Sequence, residues 1–287
     1  AHTDFDDFWG MPAVTGSDDT QHALVVCEAL ERQDGYSLSA IALGLKDEMR
    51  RSKGWGKTTK RAIERVDSGM TNDRLANNGE VLGNGCGPLM RSVPLAVYAV
   101  SRQPELLVKM AYESAGLTHN NPENIAATVT HHRLLAHLIN HHGTCGDISD
   151  IAYKIARKEE KKYGARPYLS DAIKRARKAD NVADAVYTGE KWGAFTTWAV
   201  QAVSYEMFGR LGAGSLIDLL VGTVSEGGDA DSTGAVVAGM WALSRCNGEL
   251  PADIYKLEDQ NRLEKSNRWM SSLFETCFIG ADHLLMT

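Results

Sequence analysis

Apolar residues recur along this chain at three- and four-residue spacing. Leu38, Ile41, Ala42, Leu45 and Met49 trace one such stripe, with Ser37 or Ser39 placed to cap it. The same spacing predicts helices over residues 20–33, 37–51, 94–102, 104–116, 121–141, 147–163, 168–180, 193–210 and 214–225, and two more near 252–263 and 268–285. A further helix runs through Ala62, Ile63 and Val66, behind the turn Gly54-Trp55-Gly56, and the unbroken apolar run Ala235–Leu243 reads as a buried one. No stretch alternates apolar and polar residues between turn signals as strands do, so the expected fold is all-α. With no linker in sight, residues 1–287 are expected to form a single compact multi-helix domain.

Two places interrupt the helical pattern with concentrated oxygen chemistry. Glu226-Gly227-Gly228-Asp229-Ala230-Asp231-Ser232-Thr233-Gly234 sets carboxylates and hydroxyls at the head of the apolar run 235–243, and Ser17-Asp18-Asp19-Thr20 does the same before Gln21–Leu30. Asp and Ser are preferred helix caps, which is the plain reading of either motif alone. Together they are more: adjacent carboxylates repel one another and need a cation if buried. Carboxylate and hydroxyl oxygens are the ligands that Mg²⁺, Mn²⁺ or Ca²⁺ take. If the two helix starts meet, their combined charge suits two divalent cations.

Other arrangements carry less. Asp229, Asp231 and Thr233 match the Asp-x-Asp-x-Thr nucleophile motif of haloacid-dehalogenase-type phosphatases, but that chemistry needs a buried parallel strand before the first Asp, and none is predicted. A calcium loop would need an acidic residue eleven positions after Asp229, where Met240 stands. Five histidines between 131 and 142 read as a partly exposed helix face, and Lys154–Lys178, with ten Lys or Arg, as a solvated one. The loop 76–94, rich in glycine and asparagine, has the length of a functional loop, and His119 lies between two helices, where a side chain can enter a cleft.

A net charge of −6 argues against general nucleic-acid binding. Five widely spaced cysteines without a Cys-x-x-Cys pair read as reduced thiols, mostly small buried hydrophobes, in a cytoplasmic protein. No apolar run is long enough to span a membrane, and the first residues do not resemble a signal peptide.

In order along the chain, Ser-Asp-Asp-Thr at 17–20, Gly-Asn-Gly at 83–85 with Met90-Arg91 and Pro94 downstream, Thr118-His119, and Gly-Gly-Asp-Ala-Asp-Ser at 227–232 resemble the ADP-ribosylglycohydrolases of the dinitrogenase-reductase-activating type. Gly54-Trp55-Gly56 is similar to that family's Gly-aromatic-Gly turn. The resemblance implies an all-α fold around two divalent cations, Mg²⁺ or Mn²⁺. Ser17, Asp18, Asp19, Asp229, Asp231 and Ser232 would be the ligands, with serine where relatives usually carry threonine. It further implies hydrolysis of the glycosidic bond of an ADP-ribosylated protein or small molecule. Gly83, Asn84, Gly85, Arg91 and His119 would line the ADP-ribose groove, and Asp4 would stand in for the family's catalytic carboxylate beside Asp18, Asp19, Asp229 and Asp231. Cys86-Gly87-Pro88-Leu89 spaces the two loop motifs more widely than in relatives. A monomer is expected; the rival expectations are a member that binds ADP-ribose without cleaving it and, behind that, the Asp-nucleophile phosphatase.

Overall fold

The computed structural model describes residues 16–141, 147–187, 193–245 and 260–280, and side chains as far as residue 273. The described residues form fourteen α-helices and no strand: α1 (Asp18–Gln33), α2 (Leu38–Glu48), α3 (Lys57–Glu64), α4 (Asn72–Leu75), α5 (Ser92–Arg102), α6 (Leu107–Thr118), α7 (Pro122–Asn140), α8 (Ile148–Tyr163), α9 (Tyr168–Ala176), α10 (Val182–Val186), α11 (Thr197–Leu211), α12 (Leu216–Val224), α13 (Ala230–Ser244) and α14 (Gln260–Gly280). The helices predicted between residues 20 and 243 are there, several with boundaries set by caps; the one expected near 252–263 lies largely outside the described residues. Ser37, not Ser39, accepts from the Ala40 amide at 3.2 Å and opens α2. The run expected from 193 begins as a 3₁₀ turn and becomes α11 only after Thr196 caps it.

Three expectations are corrected. The short helices α4 and α10 were not predicted. The tail does not divide within 263–268: α14 runs through, supported by the i,i+4 contacts Gln260–Glu264 and Glu264–Arg268. His131 and His132 are fully buried rather than on an exposed face. The first is hydrogen-bonded through Nδ1 to the Tyr205 hydroxyl at 3.1 Å and the second to the Thr128 carbonyl at 3.0 Å. Burial holds both imidazoles neutral, with pKa values lowered to about 3 and about 4.

α7 lies at the centre, packed by α5, α6, α8, α11 and α13. It is buried from Asn124 to His132 on every side, and Thr128 and Thr130 return their hydroxyls to the carbonyls four residues back, at 2.7 and 2.8 Å. One apolar cluster extends from Val25 and Leu30 of α1 through Leu95, Leu134 and Phe208 to Met240 of α13 and Leu273 of α14. α1 packs on α2, α5 and α14, and meets α13 at its start. The 3₁₀ turn Leu89–Arg91 is wedged against α1, α5 and α13. That wedge ties the glycine loop to both acidic helix starts. Among the described residues no helix is long and apolar enough to cross a membrane.

Candidate cation site

The two acidic motifs, more than two hundred positions apart, converge. The Ser232 hydroxyl donates to Asp19 Oδ2 at 3.3 Å across a separation of 213 residues. Ligand-capable atoms of Asp18, Asp19 and Asp231 lie within 4.8 Å of one another. Asp18 and Asp19 open α1, and Asp231 and Ser232 lie in the first turn of α13, where the helix dipole favours negative charge. Gly227 and Gly228 make the approach to α13 in the left-handed region, φ 78° and 72°, which a side chain would strain. That turn is pinned by the Tyr187 hydroxyl on the Gly227 carbonyl at 3.1 Å and by Glu226 on the Ala183 amide at 2.8 Å.

The plain capping role fails on inspection. Ser17 and Asp229 occupy the N-cap positions of α1 and α13, yet neither side chain caps its helix. Ser17 instead donates to Asp19 Oδ2 at 3.3 Å, and Asp229 Oδ2 accepts from the Cys86 thiol at 3.0 Å. Asp19 is buried, and its Oδ1 has no hydrogen-bond partner. A buried carboxylate oxygen left so costs on the order of 1–3 kcal/mol unless something positive reaches it. The Lys60 charge offsets part of the shift at Asp18. Hard oxygen donors, excess negative charge and an orphaned buried oxygen are what a divalent cation would satisfy.

Their acidity reflects the crowding. Burial, then the Asp231 charge, raises Asp18 to about 7. Burial and the neighbouring aspartates push Asp19 well above the ordinary range, and burial raises Asp229 to about 7. The folded, cation-free protein therefore binds protons that an unfolded aspartate, with pKa near ~4, has lost. The contribution of these aspartates to stability is full below about pH 4 and is lost as pH rises through about 7, while the buried neutral histidines His22, His119, His131 and His132 contribute in the opposite sense, their term being lost as pH falls below ~6.5. Relative to chelator, a divalent cation should therefore raise the melting temperature by roughly 5–10 °C more at pH 8 than at pH 5, where protons compete with it for the carboxylates. An equal rise at the two pH values would contradict this.

The remaining predicted residues divide. Gly83, Asn84 and Gly85 are moored by their carbonyls: Gly83 accepts from Asn121 and Asn124 at 2.6 and 2.7 Å, Asn84 from the Thr197 amide at 2.9 Å, and Gly85 from the Thr197 hydroxyl at 2.7 Å. Arg91 and His119 do not face an open groove, being 0% and 1% exposed. Arg91 donates to the Gly87 and Ser114 carbonyls and to the Ser114 and Thr118 hydroxyls at 2.6–3.0 Å. The His119 ring lies under Gly85 and Gly87, its Nδ1 against the Thr118 hydroxyl at 2.9 Å, and burial lowers its pKa to about 3. Both support the loop from behind. Asp4 lies outside the described residues.

Cys86 was missed. Read as part of a spacer, it is buried with its sulfur 3.0 Å from Asp229 Oδ2 and 3.2 Å from Ser232 Oγ. The one available signal was its place, a cysteine inside the glycine loop. Gly54, whose φ of 73° only glycine adopts freely, brings its turn beside Asp18: a Cβ there would stand 3.4 Å from Oδ1. A cleft lined by Glu28, Arg32, Glu48, Arg51 and Arg262 is occupied by ion pairs and lies about 15 Å farther along α1.

A family model described as ADP-ribosylglycohydrolase matches residues 2–278 of the chain. A solved structure described as an ADP-ribosylglycohydrolase-related protein complex is similar with a TM-score of 0.66 and 24% identity, over 94% of this chain and 83% of that one, a likeness of fold. No curated protein matches.

Proposed function

Because the chain belongs to the ADP-ribosylglycohydrolase family, we propose that it is a divalent-cation-dependent hydrolase of the glycosidic bond between ADP-ribose and an acceptor, a protein side chain or a small molecule. The observation that carries this reading is the meeting of the two acidic helix starts around the partnerless Asp19 Oδ1. Ser17, Asp18, Asp19, Asp229, Asp231 and Ser232 would hold the cations, two Mg²⁺ or Mn²⁺. When bound, the ions polarise and fix the hydroxyls of the ribose that carries the scissile bond.

The chain's own groups account for the rest. Glycoside hydrolysis passes through an oxocarbenium-like state in which the sugar ring gains positive charge. The carboxylates of two helix starts set negative charge beside that ring, fixed before substrate arrives. The loop Gly83–Gly85, its carbonyls turned inward on Asn121, Asn124 and Thr197, offers backbone amides to the pyrophosphate, so no basic patch is required. A carboxylate takes the proton of the attacking water as the bond to the leaving group breaks; Asp4 is our candidate beside the four aspartates of the site. The unbroken match over 2–278 supports treating the chain as one domain.

The phosphatase alternative is not favoured, since Asp229 stands at a helix start and no strand precedes it among the described residues. The test is release of ADP-ribose from arginine-, serine- and nucleobase-linked conjugates, with and without Mg²⁺ or Mn²⁺, alongside calorimetric titration with ADP-ribose. Cation-dependent release from one linkage class supports the proposal, whereas ADP-ribose binding without release from any conjugate would make the chain a binder only.

A further inference from the structure

Cys86 is buried against Asp229 and Ser232, beside rather than within the group that Asp18, Asp19 and Asp231 form. Its Sγ is 3.0 Å from Asp229 Oδ2 and 3.2 Å from Ser232 Oγ, and Ser232 Oγ is in turn 3.3 Å from Asp19 Oδ2. Sulfur and oxygen donors sharing one ion, at bond lengths of ~2.3 and ~2.1 Å, stand roughly 3.1–3.6 Å apart for angles between square and tetrahedral. The 3.2 Å spacing to Ser232 lies in that range and the 3.0 Å spacing to Asp229 just below it. Separately, Asp19, one of the three clustered aspartates and only 5% exposed, carries a buried Oδ1 with nothing to bond. The thiol is held in place by the loop rather than by chance packing. Gly85 bridges to Thr196 on one side of it, and on the other the Leu89 amide closes a turn on the Cys86 carbonyl at 2.7 Å.

We propose that Cys86 is a sulfur ligand of this site, so that thiophilic divalent cations such as Zn²⁺, Co²⁺ and Cd²⁺ bind it more tightly than Mg²⁺ or Mn²⁺ and displace them. The inference rests on reading the acidic cluster as a cation site. Hard cations take the oxygens and leave the thiol as a protonated neighbour that donates to Asp229. A thiophilic cation takes the sulfur as thiolate, and the thiol proton passes to solvent. The consequence is a hydrolase whose state of activation is set by which cation is abundant, with trace thiophilic metal competing at the substrate site.

The experiment uses the full chain, stripped of metal and kept reduced, as wild type, Cys86→Ser and Cys86→Ala, each checked for folding by circular dichroism. Titration with Co²⁺ should give the wild type a near-ultraviolet sulfur-to-cobalt charge-transfer band that both variants lack. Calorimetry should show Cd²⁺ affinity falling ~10–100-fold in the variants while Mg²⁺ affinity stays within ~3-fold, because magnesium makes no use of sulfur. Cobalt binding by the wild type without that band, or a band that survives in Cys86→Ser and so comes from another cysteine, overturns the inference and leaves the cation site standing. A wild type that binds neither Mg²⁺ nor Co²⁺ overturns the cation site itself, and the inference with it.

Discussion

Asp19→Asn is expected to abolish cation binding and lower turnover by at least ~10²-fold without lowering the stability of the cation-free protein. The two halves of this result belong together. Asp19 is buried, is raised well above the usual carboxylate range by burial and by Asp18, Asp231 and Asp229, and accepts hydrogen bonds from Ser17 and Ser232. Asparagine has the same shape, keeps an oxygen for those hydroxyls and removes a charge that the neighbouring aspartates repel. What it cannot supply is a second anionic oxygen at the position of the partnerless Oδ1. Thermal melts in chelator, Mn²⁺ titration and ADP-ribose release measured on one preparation decide it. A variant that melts as the wild type and still turns over at the wild-type rate would show that Asp19 is a helix-start residue and nothing more.

Arg91→Met should cost ~3–5 kcal/mol of folding stability, read by chemical denaturation. The guanidinium is 0% exposed and makes four donations to acceptors of α6 and of the loop, at 2.6–3.0 Å. Burial lowers its pKa to about 9, so its hydrogen bonds offset only part of the cost of burying the charge. Methionine fills part of the volume but leaves the Gly87 and Ser114 carbonyls and two hydroxyls without their donor. Arg91→Lys should recover little, since one ammonium cannot reproduce a planar fork that serves separated acceptors. A loss below ~1 kcal/mol for Arg91→Met would mean that water enters and replaces the guanidinium.

The helices and the acidic turns were legible because each has a local signature. Stripes such as Leu38–Ile41–Leu45 have the helical period, and carboxylates beside serine at the head of an apolar run mark a special helix start. Whether those oxygens cap or face a neighbour was not legible, since the same residue types do both; only the geometry shows Ser17 and Asp229 turned away from their own amides. Charged and imidazole side chains misled in the same direction. Arg91, His119, His131 and His132 belong to types that face solvent or a cleft by default, and each is buried because a carbonyl or hydroxyl receives it: from the neighbouring residue for His119, one turn back for His132, and 23 and 74 positions away for Arg91 and His131. α4 and α10, of four and five residues, are too short to display a period. Cys86 fell between two motifs, and nothing local says that a cysteine in a glycine loop faces an aspartate 143 residues away.

Joint holding of cations by the start of α1 and the start of α13, as proposed, is read by counting Mn²⁺ bound per chain, by electron paramagnetic resonance of free Mn²⁺ during titration, in the wild type, in Asp18→Asn and in Asp231→Asn. Saturable binding is expected of the wild type and its loss in both variants, although the two substitutions lie on separate helices more than two hundred positions apart. Undiminished Mn²⁺ binding in either variant would contradict it.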